Sequence, residues 1–139
     1  MKILIAVDGS DYTRRMLDYL ASHGWLRSGH ALSVLTVVPA LPHRAAAFAG
    51  KDLVQNYYFD DAEQVLRPVR ELLKTQGVEA VCDYQIGHPA ECIARVAQDG
   101  GHDLVIMGSH GHGWVANLVL GSVATKVLAA CKTPVLLVR

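Results

Sequence analysis

Three glycines and a serine in the last third of the chain have a spacing that suits phosphate binding. Gly108 and Gly111 are separated by two residues, and nine more residues lead to Gly121 and Ser122, where a helix is predicted to begin. A loop around phosphate groups must turn backbone N–H groups inward, and glycine permits both the unusual dihedral angles and the close approach. The first turn of a helix adds unpaired N–H groups, the positive end of its dipole and, at Ser122, a hydroxyl donor. The pattern predicts a phosphate-binding site, with a glycine-rich turn and an ordinary helix cap as the alternative.

Other polar residues give weaker signals. His110 and His112 alternate within the same loop and could bind a metal ion, but the sequence places no third ligand nearby. Asp8 follows an apolar run. It is either a cap for the next helix or a contact for ribose and magnesium, and we favour the second role.

Fingerprints of other nucleotide chemistry fit the chain poorly. Residues 111–116 satisfy a G-x-G-x-x-A pattern, but no second strand with an acidic residue follows at the distance that a dinucleotide site requires. Gly50-Lys51-Asp52 lacks the Ser or Thr of a P-loop. No serine or cysteine lies in a nucleophile elbow, and no pair of carboxylates is placed to activate water. The sequence therefore predicts that a ligand is bound rather than chemically converted.

Size and charge narrow the classes of partner. The 139 residues are 51% hydrophobic, which is enough for the core of one domain over residues 1–139. Basic and acidic residues balance at 13 each, so no overall field draws the protein to nucleic acid or anionic lipid. No apolar run approaches membrane-spanning length, and Asp8 interrupts the first run too early for a signal peptide. Three dispersed cysteines without a CxxC pair indicate reduced thiols, and we expect a soluble cytoplasmic protein.

Short apolar runs alternate with helical patterns along the chain. The predicted strands are Ile3–Val7, Leu32–Val38, Val78–Ile86, Leu104–Met107 and Val135–Val138. Four helices are predicted. The first begins after a cap at Ser10 or Asp11, and the second has the apolar face Ala62–Leu73 and ends near Gly77. The third extends from Pro89 to Gln98, and the fourth spans Ser122–Ala130. This alternation predicts an α/β fold: a doubly wound parallel sheet of five strands with four main helices on both faces. Ligands bind such sheets beyond the carboxyl ends of the strands.

The segment between the second and third strands has the least regular pattern. Pro39–Lys51 shows no clear period and is predicted to be a surface connection. The aromatic residues Tyr57–Phe59 and the acidic cluster Asp60–Glu63 would then precede the long helix. The aromatic residues suit the core or an interface, and the acidic residues suit the positive end of the helix. Pro68 lies inside the helical pattern and predicts a kink.

The sequence resembles the universal stress protein family. Nucleotide-binding members of that family carry a G-x2-G-x9-G-[ST] pattern, which Gly108, Gly111, Gly121 and Ser122 match without a gap. The likeness covers essentially the whole chain, including the opening Ile-Ala-Val-Asp-Gly-Ser, the Gly-His-Pro turn, Val-Ile-Met-Gly-Ser-His-Gly and the closing Pro-Val-Leu-Leu-Val. Members without the glycine pattern are thought not to bind ATP, so the resemblance places this chain with the ATP-binding branch.

The resemblance also implies an arrangement of the site. It implies a sheet of order 3-2-1-4-5, a homodimer, and ATP bound between the ends of strands one and four. We expect Mg²⁺ to accompany the ATP, with Asp8 as the metal contact. The ribose and base would be held by Ala6, Val7, Asp8, Val37 and Met107, and the phosphates by Gly108, Ser109, His110, Gly111, Gly121, Ser122 and Val123. The last strand, Val135–Val138, is too apolar for an uncovered sheet edge and is predicted to form the dimer contact. His112, Gly113 and Trp114 depart from the family's loop and could alter its mobility.

The leading hypothesis for function is a nucleotide-dependent binding module. ATP occupancy would change the shape of the dimer or its affinity for an unidentified protein partner. One alternative is a slow ATPase or another nucleotide-using enzyme, although at most weak hydrolysis is expected. The other is an interaction protein whose glycine loop holds no nucleotide.

Overall fold

A parallel sheet of five strands forms the centre of the protein. The computed structural model describes residues 1–27, 29–113 and 115–139, so the expectation about Trp114 in the loop falls outside the described residues. The strands are β1 (Lys2–Ala6), β2 (Ala31–Val38), β3 (Ala80–Ile86), β4 (Leu104–Gly108) and β5 (Val135–Val138). Their order is β3-β2-β1-β4-β5, and every neighbouring pair is parallel. The predicted fold class and strand order are confirmed.

The described part of the chain contains five α-helices, one more than the four predicted. They are α1 (Asp11–Ser22), α2 (His43–Ala49), α3 (Lys51–Thr75), α4 (Pro89–Asp99) and α5 (Ser122–Ala130), with a short 3₁₀ turn at Trp25–Arg27. The additional helix, α2, occupies the segment that was predicted to be an irregular connection. None of its residues is buried, so it carries no periodic apolar face that the sequence could have revealed.

Side chains of the central strand β1 alternate between two cores, one on each face of the sheet. Ile3 and Ile5 pack with residues of α1 and α3, whereas Leu4 and Ala6 pack with residues of α4 and α5. Ile3, Leu4 and Ile5 are each at most 1% exposed. A strand buried on both faces reads as a continuous apolar run rather than an alternating one, which is why β1 was predictable.

The long helix α3 begins earlier than predicted. Its buried face extends back from Ala62 by one turn to Tyr58, whose hydroxyl accepts a hydrogen bond from the Leu41 N–H at 2.9 Å. The aromatic and acidic residues predicted to precede the helix therefore lie inside it. The helix continues past Pro68 to Thr75. No helix among the described residues combines the length and the apolar character needed to cross a membrane.

The acidic cluster does not serve the positive end of α3, contrary to the prediction. The helix starts at Lys51, so Asp60 and Glu63 lie well beyond its first turn. Glu63 instead accepts two hydrogen bonds of 3.1 Å from the Arg70 guanidinium. This pairing holds the pKa of the Glu63 carboxyl below its usual range, and it raises the pKa of Arg70.

Candidate functional site

A cavity of about 650 Å³ opens at the carboxyl ends of the central strands. Strand order reverses between β1 and β4, because β2 lies on one side of β1 and β4 on the other. The connections that leave the two strands diverge to opposite faces of the sheet at such a point, and a crevice opens between them. The order of strands thus places the cavity.

Eleven of the twelve residues named from the sequence line this cavity. They are Ala6, Val7, Asp8, Val37, Met107, Gly108, His110, Gly111, Gly121, Ser122 and Val123. The twelfth, Ser109, does not. It is 1% exposed, and its N–H donates to the Val138 carbonyl at 2.9 Å. Ser109 therefore connects the start of the loop to β5 through a backbone hydrogen bond.

The first turn of α5 is open toward the cavity. Gly121 precedes the helix in an extended conformation and supplies no side-chain cap. The Thr125 N–H donates to the Gly121 carbonyl at 3.0 Å, which leaves the N–H groups of Ser122, Val123 and Ala124 without a partner inside the helix. All three of these residues line the cavity. The positive end of the α5 dipole therefore faces a space large enough for a ligand.

The motif glycines are required by close packing rather than by their dihedral angles. A Cβ atom at Gly108 would lie 2.9 Å from Tyr12 Cβ, one at Gly111 would lie 2.7 Å from Asp8 Oδ2, and one at Gly121 would lie 3.0 Å from His110 Cα. None of the three has a positive φ. The expectation that these glycines adopt positive φ is therefore wrong, and their small size is required by neighbouring protein atoms. The close approach to phosphate oxygens stays a prediction.

Asp8 links the end of β1 to the glycine loop. Its Oδ1 accepts hydrogen bonds from the Ser10 N–H and the Thr13 hydroxyl, both at 2.9 Å. Its Oδ2 is the atom that a Cβ at Gly111 would meet. The cap of α1 is Ser10, whose hydroxyl oxygen accepts from the Thr13 N–H at 3.4 Å. Asp8 is thus not the cap, and one of its oxygens is turned toward the loop.

Both ring nitrogens of His110 are used within the protein. Nε2 lies 2.9 Å from the Leu118 carbonyl oxygen, which can only accept, so Nε2 carries the proton. Nδ1 lies 2.8 Å from Ser109 Oγ. The ring is buried and packs against Tyr12, with the ring centroids 4.9 Å apart. His110 therefore orders the loop between β4 and α5.

His112 connects the glycine loop to the residue that follows β1 by a hydrogen bond. Its Nε2 donates to the Asp8 backbone carbonyl at 2.6 Å, and the side chain is exposed. The described residues contain no group of three or more His, Cys, Asp or Glu side chains placed to hold a metal ion. The two histidines of the loop are thus engaged in hydrogen bonds that shape it.

One wall of the cavity was not anticipated from the sequence. Asp61, Gln64 and Val65 of α3 line it. Gly9 has a φ of +76°, and a Cβ there would lie 3.3 Å from Val65 Cγ2, so α3 packs directly over the turn after β1. The sequence holds one partial signal: Asp61 and Val65 are four residues apart and share a helix face. Nothing in the sequence alone says that this face meets β1.

Comparisons with known proteins match the whole chain. The model of the universal stress protein family matches residues 1–139. A universal stress protein of Bacillus subtilis, YxiE, is 31% identical over 146 aligned positions, which cover 99% of this chain and 98% of that protein.

Solved structures share the fold. A structure of the Methanocaldococcus jannaschii protein MJ0577 has a TM-score of 0.82 and 26% identity, covering 99% of this chain and 94% of that one. A universal stress protein of Archaeoglobus fulgidus, solved in complex with dAMP, has a TM-score of 0.70 and 22% identity, covering 100% and 98%.

Proposed function

The chain belongs to the universal stress protein family, and from this membership and the site we propose that it binds ATP as a nucleotide-dependent regulatory module of the stress response. The observation that carries the proposal is the uncapped first turn of α5, which lines the cavity together with the three motif glycines. Backbone N–H groups at a helix start, with glycines beside them, form a site for phosphate. The dAMP complex of the Archaeoglobus protein supports the choice of a nucleotide.

The residues around the cavity fit the parts of ATP in a definite order. The phosphates bind at Ser122, Val123 and the Gly108–Gly111 loop. The base lies toward Val37 and Met107, and the ribose lies over the end of β1. Side chains of Val37, Met107 and Val123 belong to the α4 and α5 face of the sheet, so the base enters an apolar part of the cavity. The volume of about 650 Å³ is within the range of small-molecule sites.

Asp8 is the residue that would contact Mg²⁺ bound to the phosphates. Its Oδ2 lies beside Gly111, whereas Oδ1 is held by Ser10 and Thr13. Mg²⁺ is usually bound through one or two carboxylates together with substrate phosphates. Because the described residues form no metal cluster of their own, the phosphates would supply the other ligands. The ion would neutralise phosphate charge in a cavity whose described lining contains no Lys or Arg.

Direct binding measurements test the proposal. We expect calorimetry with Mg-ATP to give saturable binding, with one nucleotide per chain. Nucleotide released by denaturing the purified protein should be identified by chromatography and mass. A well-folded protein that binds no adenine nucleotide would contradict the proposal and would favour the interaction protein with an empty loop.

We expect ATP to be held with little or no turnover. Phosphoryl transfer ordinarily uses a positioned base and a cationic side chain at the developing charge. The described residues that line the cavity include neither Lys nor Arg. Phosphate release from Mg-ATP should therefore stay close to background. Repeated turnover within minutes that disappears in Asp8→Asn would overturn this expectation and support a slow ATPase.

We also propose that the protein is a homodimer through β5. This strand forms one edge of the sheet, and Val135, Leu136 and Leu137 are only partly buried within one chain. A second copy paired along this edge across a two-fold axis would cover the unpaired backbone groups. Analytical ultracentrifugation at micromolar concentration should give the mass of two chains, and a monomer at that concentration would rule the pairing out.

The cytoplasm is the proposed compartment. All three cysteines, Cys82, Cys92 and Cys131, are free thiols, which suits a reducing environment. Cell fractionation with an antibody against the protein tests this, and recovery outside the cytoplasmic fraction would refute it.

A further inference from the structure

The cavity extends beyond the predicted nucleotide contacts to the side of α3. Asp61 and Gln64 line it there, three residues apart on one face of the helix. Val65 fixes the position of this wall through its approach to Gly9. Because α3 runs from the carboxyl rim toward the start of β3, Asp61 lies one helical turn, about 6 Å, closer to the rim than Val65, which contacts the turn after β1 at Gly9. A ribose bound at the end of β1 would face this wall of the cavity.

Both carboxylate oxygens of Asp61 are available to a ligand. The side chain is half-buried and makes no hydrogen bond or ion pair with any residue that the structure describes. A partly desolvated carboxylate is stabilised when it accepts hydrogen bonds. The described lining offers no Lys or Arg to provide them, so the donors must come from the ligand or from water. The negative charge also disfavours a phosphate at this place and favours neutral donors such as hydroxyl groups.

Asp8, the other carboxylate of the cavity, is less suited to a pair of hydroxyl groups. Its Oδ1 already accepts from the Ser10 N–H and the Thr13 hydroxyl. Its Oδ2 is directed at Gly111, on the side of the proposed phosphates. A vicinal diol presents two donors to one carboxylate and is bound best when both oxygens can accept. Of the two carboxylates, Asp61 meets this requirement.

We propose that Asp61 recognises the 2′,3′-diol of the nucleotide's ribose and makes the site selective for ribonucleotides, an inference that rests on the nucleotide binding proposed above. Each hydroxyl donates to one carboxylate oxygen of Asp61. The Gln64 amide, on the same wall, hydrogen-bonds to a hydroxyl oxygen. Asp8 instead stabilises the turn after β1 through Oδ1 and faces the proposed phosphates through Oδ2.

Sugar-modified nucleotides test this assignment. Affinities of ATP and 2′,3′-dideoxy-ATP, both with magnesium, are measured by calorimetry for the unmodified protein, for Asp61→Ala and for Asp60→Ala. The unmodified protein should bind ATP more than about 100-fold more tightly than the dideoxy compound, as expected for two hydrogen bonds to a carboxylate. In Asp61→Ala the affinity for ATP should fall to that for the dideoxy compound, which should itself be unchanged.

Asp60→Ala is the matched control, because Asp60 is the exposed neighbour on the same helix and does not line the cavity. It should retain the full preference of the unmodified protein for ATP. If Asp61→Ala does not fold by circular dichroism, Asp61→Asn keeps the shape of the side chain and should lose most of the preference. The inference is overturned if the unmodified protein binds ATP and 2′,3′-dideoxy-ATP equally well. It is also overturned if Asp61→Ala still prefers ATP. In both cases the proposed binding of ATP would stand. Binding of neither nucleotide removes the proposed function itself.

Discussion

The helices α1 and α5 begin at the same rim of the sheet, but their first turns are completed in different ways. They follow the adjacent parallel strands β1 and β4. At α1, the Ser10 hydroxyl accepts from the Thr13 N–H, and Asp11 adds a negative charge to the first turn. At α5, the preceding residue is Gly121, no side chain caps the helix, and the first turn has no acidic residue.

The difference supports the proposal that a phosphate binds at the start of α5, where the cavity and the motif glycines lie beside the uncapped turn. Unpaired N–H groups at a helix start are normally satisfied by a side chain, by water or by a bound group. The protein supplies its own oxygen and charge at α1. At α5 it supplies a glycine-lined space, in which a phosphate would take the place that Ser10 and Asp11 occupy at α1. Variants at the start of α1 can therefore be compared with variants at the start of α5 to test the proposed ligand-binding role of α5.

Gly111→Val should have the largest effect on the α5 site. Its Cβ would lie 2.7 Å from Asp8 Oδ2, and its methyl groups would fill space proposed for the phosphates. The affinity for ATP should fall by more than about 100-fold, about 2.7 kcal/mol. Calorimetry with magnesium measures the affinity, and circular dichroism should show a retained fold because the residue lies in a loop at the surface.

Gly113→Val is the control in the same loop, because Gly113 also lines the cavity but lies outside the glycine motif proposed to hold the phosphates. A Cβ at Gly113 would have no atom within 4 Å, and its φ is not positive, so valine fits without strain. ATP affinity should change by less than about threefold, within about 0.7 kcal/mol. A folded Gly111→Val protein with normal affinity would mean that phosphates do not bind at α5, and the contrast between the two helix starts would lose its functional meaning.

Ser122→Ala should weaken ATP binding without changing stability. The Ser122 hydroxyl is exposed and makes no hydrogen bond with the described residues, so alanine removes nothing from the folded protein. A hydrogen bond to a charged phosphate is worth about 1.5–3 kcal/mol, which calorimetry would record as a loss of affinity. Urea denaturation should give the same midpoint as the unmodified protein. A lowered midpoint with unchanged affinity would show instead that Ser122 acts as a structural residue.

The strands of the sheet could be predicted from the sequence, but helix α2 and the first half of α3 could not. Continuous apolar runs such as Leu104–Met107 identify strands that are buried on both faces. The first half of α3 gave no such signal, because Leu53, Tyr57 and Phe59 are exposed and out of phase with the buried face. Helix α2 has no buried residue, so no hydrophobic period marked it.

The same limit explains what was missed at the site. The glycine spacing indicated the wall of the cavity that the loop and the start of α5 form, because these two segments are close together in the sequence. The wall formed by Asp61 depends on a contact between α3 and the turn after β1, which only tertiary packing establishes. The reason for the glycines also needed the structure, since a pattern of glycines does not distinguish positive φ from close packing.

Ser10→Ala should lower the stability of the protein and leave ATP affinity almost unchanged, which is the opposite of the result expected for Ser122→Ala. Of the variants proposed, it should have the smallest effect on ATP affinity. Alanine removes the hydroxyl that caps α1 but keeps the Ser10 N–H, which donates to Asp8 Oδ1. Loss of a serine cap costs about 1 kcal/mol of unfolding free energy, measurable by urea denaturation. Because Asp8 keeps both of its donors, the Ser10 N–H and the Thr13 hydroxyl, ATP affinity should stay within about twofold, about 0.4 kcal/mol.

Ser10→Thr is the control, because threonine restores the capping oxygen and should recover most of the lost stability. Opposite effects at the two serines would separate a helix start that serves folding from one that serves binding. A large loss of ATP affinity in Ser10→Ala, with stability unchanged, would place α1 in the binding site as well. The open first turn of α5 would then be insufficient to explain where the phosphates bind.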